Sequence, residues 1–406
     1  MVNVDLSVWP RLQTPEKPLF SFNKGSSKDL FPSFDWKGGE GECPELSPGR
    51  LPLADSEASR TVYLYDEQAV LTRLKSKGWL GLAESFMSGE WDAHDPSYVW
   101  ETALKDRRRY MRKEWTQRKQ PLVAEPHNRD FAFFEGQLDP TLNTGSAEFI
   151  TGPRAQVNEK GVKEVYLQDP MPLPLRKDLY DAQRRRVSRT LLDVDLRRKD
   201  KVLFIGGEWG ETAFEAAQFG CDVTVLCDND EQERVLTQRA TESDRGQLRL
   251  VPGLYTNTGV YDVIISVAAL PSDRLLDAVI QICKTDLAPR GRVVIERPLR
   301  AGGGQGLPLA WWWSYVDTDT LLRSRREIVE DMRGSGLFLT QATHCDPHYI
   351  RSLELWDESF RANVSTIGAL GYDAAYRRLW RTALAVVRAC VRGGTISYQR
   401  LVFKKL

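Results

Sequence analysis

The sequence predicts an α/β fold, a doubly wound and mainly parallel sheet with helices on both faces, together with a smaller, mainly helical N-terminal domain. Three observations predict it. After Asp178, short apolar runs alternate with segments of helical periodicity, and strands covered on both faces read as continuous apolar runs. The first of those runs, KVLFI, passes into a glycine turn and then a helix, the order of a nucleotide-binding unit. Upstream of residue 120 the apolar spacing is mostly helical.

Taken in order, residues 1–60 are rich in Pro, Gly, Ser and charge and read as an irregular arm with a short ordered part. TVYLY alternates like a strand, and EQAVLTRLKSKGWLGLAESFM carries helical spacing that ends near Ser88-Gly89. Residues 97–119 read as one amphipathic helix whose second half, Lys105 to Lys119, holds eight basic and two acidic residues. The N-terminal domain is thus expected over 61–120, an irregular linker over 121–165, and the sheet domain over 166–406. Within the last, LYDAQRRRVSRTLLDV is a helix, KVLFIGG a strand, ETAFEAAQFG a helix and CDVTVLCDN a strand. DEQERVLTQRAT, YDVIISVAAL and DRLLDAVIQICKTD follow as helix, strand and helix, before a Pro-Arg-Gly turn and the strand RVVIERP. Residues 357–392 are helical, and TISYQRLVFKK closes as a strand expected at the sheet edge.

Composition narrows the function. Lys+Arg and Asp+Glu are equal at 56 each, so no global field draws the chain to nucleic acid or anionic lipid. No run approaches the roughly 18 apolar residues of a membrane span. The N-terminus has neither a basic nor an apolar signal region, and a cytoplasmic protein is expected, with peripheral contact to the inner face of the membrane. Six cysteines without a C-x-x-C pair imply free thiols. Four histidines without ligand spacing imply no metal site.

The first turn of the sheet domain reads Gly206-Gly207-Glu208-Trp209-Gly210. Glycines there let the backbone approach a cofactor in a Rossmann-like sheet; a glutamate stands where a third would be. At the end of the second strand, Asp228 either binds a ribose hydroxyl or caps the helix that starts at Asp230.

Three stretches carry a family resemblance. GLAESFMSGEWDAHD, at 81–95, is similar to a G-L-A-E-S-Y-M-x-G-E-W-D signature; LYDAQRRRV with KVLFIGGEWG is similar to a helix bearing an Ala-Gln pair and a D-I-G-C-G-W-G turn; and 347–405 resembles one C-terminus almost continuously. All three belong to the cyclopropane-fatty-acyl-phospholipid synthases and the related enzymes that make methyl-branched fatty acids. The resemblance implies the class I fold of methyltransferases that use S-adenosylmethionine (SAM). It also implies methyl transfer from SAM to the double bond of a phospholipid acyl chain, followed by proton loss to a bound bicarbonate. In the branched-chain relatives a methylene product goes on to a reductase. No metal is implied.

Residue by residue, the resemblance keeps Gly206, Trp209, Gly210, Gln183 and Gln232 near the cofactor; Gly207 in the same turn, and Asp228 as the ribose candidate of the fold, are the other expected cofactor residues. It keeps Tyr349 of the bicarbonate positions. The departures fall on chemistry. The aspartate of D-I-G is Phe204, the next cysteine is Gly207, and the next glycine is Glu208. An Asp-Tyr-Arg-Asp stretch falls on Gly253-Leu254-Tyr255-Thr256, a Glu-His pair on Pro271-Ser272, and a strand histidine near Ile295. A retained fold with a lost reaction would look like this. The expected function is a catalytically degenerate accessory subunit in acyl-chain methylation, partnered by an active paralogous methyltransferase or a reductase. The alternative is an active SAM-dependent enzyme with an altered site that uses Glu208, Glu296 or Tyr349 as base.

Three further features have two readings each. The basic stretch, with Arg107, Arg108, Arg109, Arg112 and Lys113, either lies on anionic lipid or is a solvated face. Trp311–Trp313 either lines an acyl tunnel or packs. Tyr349 is either an anion ligand or a packing residue. Arg351 and Arg377 are expected at the surface, as part of a docking face for the partner.

Overall fold

The computed structural model describes residues 35–38, 61–105, 131–206, 209–227, 229–242, 246–253, 259–268, 270, 274–302, 311–312, 315–316, 320 and 322–406. The chain divides into two compact units. The first draws on Met1–Arg129, Gln305–Thr318 and Trp356–Thr395, the second on Asp130–Gly304, Asp319–Leu355 and Ile396–Leu406. The segmentation read from composition is contiguous; these units are not.

In the first unit, β1 (Asp35–Gly38), β2 (Thr61–Leu64) and β3 (Trp91–Ala93) form a small sheet, β1 parallel and β3 antiparallel to β2. The helical run after it is two helices, Glu67–Lys77 and Trp79–Met87, separated at Gly78. Asp66 caps the first by accepting from the Ala69 N–H at 2.9 Å. A Cβ at Gly81 would lie 2.0 Å from the carbonyl oxygen of Arg73, so glycine is what lets the two helices meet backbone to backbone. Helix Ser97–Lys105 follows; the rest of the basic stretch, including Arg107, Arg108, Arg109, Arg112 and Lys113, lies outside the described residues.

The 81–95 signature proves to be a set of ion pairs. Glu84 holds Lys77 at 2.8 Å and Glu90 holds Arg73 at 2.7 Å. Asp92 and Asp95 face Arg381 and Arg388 of helix Ala374–Arg392 at 3.5 and 3.2 Å. Buried carboxylates need such partners to stay charged without a large penalty. Trp311 and Trp312 are buried within this unit, with Trp311 Nε1–H 3.4 Å from Met87 Sδ; Trp313 lies outside the described residues.

The second unit is built on a nine-stranded sheet of order β4-β5-β11-β12-β10-β9-β6-β7-β8. Its parallel half is β6 (Lys201–Ile205), β7 (Asp222–Cys227), β8 (Leu248–Pro252), β9 (Tyr261–Val267) and β10 (Leu287–Arg300). Alternate residues of β6 serve two cores: Val202 and Phe204 pack with Ala213, Phe214 and Leu236, while Leu203 and Ile205 pack with Leu276, Val279 and Ile280. Helices therefore cover both faces, as a continuous apolar strand requires. The Pro-Arg-Gly turn is a bulge inside β10, with Arg290 at a φ of 62° and a register shift between Leu287 and Arg292.

The final strand departs from expectation. β12 (Ile396–Lys405) does not lie at the edge but between β10 and β11 (Leu337–His344), antiparallel to both. Its residues from Ile396 to Phe403 are buried, which an edge position would not achieve. Residues 131–165, within the stretch read as linker, contribute helix Phe131–Glu135, the strand β4 (Arg154–Val157) and all but the last residue of β5 (Lys163–Tyr166) to this unit. Among the described residues, no helix is long and apolar enough to cross a membrane, and Cys221, Cys227, Cys283, Cys345 and Cys390 are free thiols.

Candidate functional site

After β6 the chain runs outward to β7 and β8, then returns to place β9 on the other side of β6. That reversal opens a crevice at the carboxyl ends of β6 and β9, where doubly wound sheets bind ligands. A cavity of about 290 Å³ lies there, with Phe204, Gly206, Gly210, Ala213, Val225 and Val267 in its lining. Gly206 has a φ of +142°, and a Cβ on it would come 2.6 Å from the carbonyl oxygen of Val267. Gly210 begins helix Glu211–Phe219 at a φ of +95°, with a would-be Cβ 2.4 Å from Leu236 Cδ2. Both positions admit only glycine. Gly207, Glu208 and Asp228 lie outside the described residues.

The other cofactor candidates fall around the same turn. Gln232 Nε2–H donates to the Gly206 carbonyl at 2.9 Å, tying helix Asp230–Glu242 to the turn. The cap of that helix is Asn229, whose Oδ1 accepts from the Gln232 N–H at 2.9 Å. Trp209 is buried against Phe131 and Phe134, ring centroids 5.0 and 5.7 Å away, and packs with Leu142 and Val235. Arg239 donates to the Trp209 carbonyl and pairs with Glu211 at 3.0 Å. Gln183 is fully buried on helix Leu179–Asp193 and donates to the Gly145 carbonyl at 3.0 Å.

Residues that no motif singled out complete the site. The loop from Asp139 to Ala147 is buried apart from Pro140 and Thr144, and its Leu142 packs on Trp209. Both polar atoms of the Asn143 amide are buried without a hydrogen-bond partner, as are Gln183 Oε1 and Asp139 Oδ1. Each such group costs about 1–3 kcal/mol, so a cluster of them beside a glycine turn marks a place for a polar ligand.

Behind this loop lies a buried charge cluster. A Cβ on Gly145 would touch Arg186 Nη1 at 3.0 Å and Glu296 Oε1 at 3.1 Å. Glu296 accepts from Arg400 Nε at 3.0 Å, Thr190 Oγ1 at 3.2 Å and Tyr398 at 3.5 Å, with Arg186 at 3.7 Å. Arg400 also reaches Asp193 at 2.9 Å and Glu148 at 3.1 Å. Tyr349 is fully buried with its ring 4.3 Å from that of Tyr398. Burial first, and Asp346 second, push its phenol well above the usual tyrosine range. The signal for this cluster was present in sequence as two opposite charges, Glu296 and Arg400, inside otherwise apolar strands.

Next to Tyr349, His348 is fully buried. Its Nδ1 accepts from the Phe149 N–H at 3.0 Å, so the ring proton sits on Nε2, 2.9 Å from the Gln168 carbonyl. Burial holds its pKa below the usual histidine value. The unfolded chain takes up a proton near pH ~6.5 that the folded ring refuses until lower pH. Stability from this residue is therefore complete above that pH and is lost as pH falls through the folded pKa. Urea midpoints should drop from about pH 7 to pH 5, and His348→Gln should flatten part of that slope. Parallel slopes would show that His348 is not the residue responsible.

Comparison with known proteins decides the family. The mycolic acid cyclopropane synthetase family model matches residues 164–401, more than half of the chain. The chain belongs to the mycolic acid cyclopropane synthetase family. It is 27% identical over 384 residues to the tuberculostearic acid methyltransferase UfaA1 of Mycobacterium tuberculosis, covering 86% of this chain and 84% of that protein. Among solved structures it is similar to the cyclopropane synthase MmaA2 of M. tuberculosis, with a TM-score of 0.58, 22% identity, and coverage of 69% of this chain and 96% of that one. It is also similar to the mycolic acid cyclopropane synthase CmaA1 complexed with SAH and CTAB, with a TM-score of 0.55, 20% identity, and coverage of 67% and 93%. At these identities the structures establish the fold, the class I SAM methyltransferase fold expected from sequence. The family's cofactor is SAM.

Arg351, expected at the surface, is 3% exposed. Its guanidinium donates to the Pro174 carbonyl, with Nε at 3.0 Å, and pairs with Glu354 at 2.9 Å. Its retention is explained by packing and gives no support to a docking face.

Proposed function

We propose that this chain serves SAM-dependent methylation of lipid acyl chains as a catalytically reduced subunit beside an active methyltransferase of the same family. The observation that carries the reading is the state of Tyr349 and Glu296. The one bicarbonate-type residue kept by the resemblance is stacked inside a core. Glu296, the buried carboxylate weighed as an alternative base, has both oxygens occupied by Arg400, Thr190 and Tyr398. Glu296 therefore presents no vacant acceptor for the proton that the family's reaction releases. The basic stretch 105–119 is the proposed contact with anionic lipid, and co-sedimentation with such vesicles should weaken as salt rises.

A second reading, methylation by this chain alone, is favoured by the buried, unpartnered groups of Asn143, Gln183 and Asp139. One experiment separates the two. Calorimetric titration of the wild-type chain with SAM should show binding weaker than about 100 μM, and Glu208→Gly should tighten it by about tenfold, 1.4 kcal/mol, by removing a carboxylate from the turn. Labelled methyl transfer to oleoyl-phospholipid vesicles should require co-purified active relative. Micromolar SAM binding together with transfer by this chain alone would overturn the accessory reading. Loss of that transfer in a folded Glu296→Gln variant would then make Glu296 the base.

A further inference from the structure

Within the first unit, helix Asp346–Ala362 ends and helix Ala374–Arg392 begins around a pocket of about 330 Å³. Its lining includes four arginines, Arg361, Arg377, Arg378 and Arg381, and a single carboxylate, Asp92. We propose that this pocket is a binding site for a phosphate group, carried either by a lipid headgroup or by a soluble phosphate ester.

The argument begins with charge. Arg381 is 5% exposed and is committed on one side, to Asp357 at 3.3 Å and Asp92 at 3.5 Å. Its Nη2 is buried with no hydrogen-bond partner. Arg361 is equally buried and pairs with the same Asp357 at 3.9 Å. Asp357 is shared again with Arg388 at 3.5 Å, so one carboxylate is divided among three guanidiniums. Arg377 donates to the Tyr372 carbonyl, and Arg378 lies beside Gly89, where a Cβ would come 3.0 Å from its Nη1. Burial, then the neighbouring cations Arg381 and Arg388, holds Arg361 below the usual arginine range; burial, then Arg378, does the same to Arg377. Cations crowded in this way are stabilised by a bound anion.

Shape points to the class of anion. Guanidinium forks match the oxygens of phosphate in paired hydrogen bonds. The remaining lining, Phe360, Val364 and Ala374, is apolar and brings no further carboxylate to compete with an anion. Ala374 is the first residue of its helix, after the cap Asp373, so the positive end of the helix dipole adds to the field. The site does not depend on the catalytic reading above, because none of its residues belongs to the cofactor turn or the Glu296 cluster.

The test uses the full chain in low-salt, phosphate-free buffer. Calorimetric titration with inorganic phosphate should show saturable binding that chloride at equal ionic strength does not reproduce. In Arg377→Gln/Arg378→Gln, affinity should fall at least about tenfold. Ala374→Glu places a carboxylate at the pocket wall without removing an arginine and suits a helix N-terminus; it should cause the same loss. If co-sedimentation with phosphatidylglycerol vesicles also falls in the variants, the phosphate belongs to lipid. If only inorganic phosphate binding falls, the ligand is a soluble ester. Wild-type titrations indistinguishable from chloride would overturn the proposal, as would unchanged phosphate affinity in both folded variants.

Discussion

Replacing Arg400 by methionine is expected to cost about 3–5 kcal/mol of stability, the range seen when one partner of a buried ion pair is removed. Arg400 is 1% exposed and serves three acids at once: Glu296 at 3.0 Å, Asp193 at 2.9 Å and Glu148 at 3.1 Å. Those acids, with Glu296 foremost, hold the guanidinium charged against the cost of burial. Without it, Glu296 keeps only Arg186, at 3.7 Å, to offset its charge. The loss is a large share of the roughly 5–15 kcal/mol that holds a typical domain folded. Urea unfolding of the variant measures it directly. If Arg400→Met costs less than about 1 kcal/mol, in the range of a surface pair, the cluster is not sealed from water.

Asp357→Ala should be comparably damaging, again by about 3–5 kcal/mol, but in the first unit. Asp357 is fully buried and faces Arg381 at 3.3 Å, Arg388 at 3.5 Å and Arg361 at 3.9 Å. Arg388 retains Asp95 at 3.2 Å and Arg381 retains Asp92 at 3.5 Å. Chemical denaturation monitored by tryptophan fluorescence reads the change. Rescue by added phosphate would connect this carboxylate to the arginine pocket. A cost near zero would mean that water already reaches the three guanidiniums.

The parallel half of the sheet was legible because each of β6, β7 and β9 is a continuous apolar run, which little but a doubly covered strand explains. The other strands lacked that signal. All four residues of β4, RAQV, are exposed, so burial imposes no pattern on them. β8, LRLVP, is short and only partly buried, and β11 carries a register shift between Leu339 and Gln341 that breaks its alternation. The place of β12 inside the sheet could not be read from its residues, because pairing order depends on which neighbours remain open when the strand arrives. Gly206, Gly210 and Gln232 were legible through the turn. Asn143 and Asp139 were not, since a buried irregular loop has no period, and its polar atoms become conspicuous only when their missing partners are seen.

The ion pairs of the 81–95 signature have a consequence for how the protein is made. Asp95 meets its partner Arg388 across 293 positions of chain, and the first unit is not complete until Thr395. At ~5–20 residues per second of synthesis, roughly 15–60 s pass between the emergence of Asp92 and Asp95 from the ribosome and that of Arg381 and Arg388. Throughout that interval the nascent N-terminal segment must keep its carboxylates hydrated and its tryptophans, Trp79, Trp91 and Trp100, without their final packing. A chain stopped by a premature stop codon before helix Ala374–Arg392 never receives those cations, and its N-terminal fragment is a substrate for chaperones and proteases rather than a small stable domain.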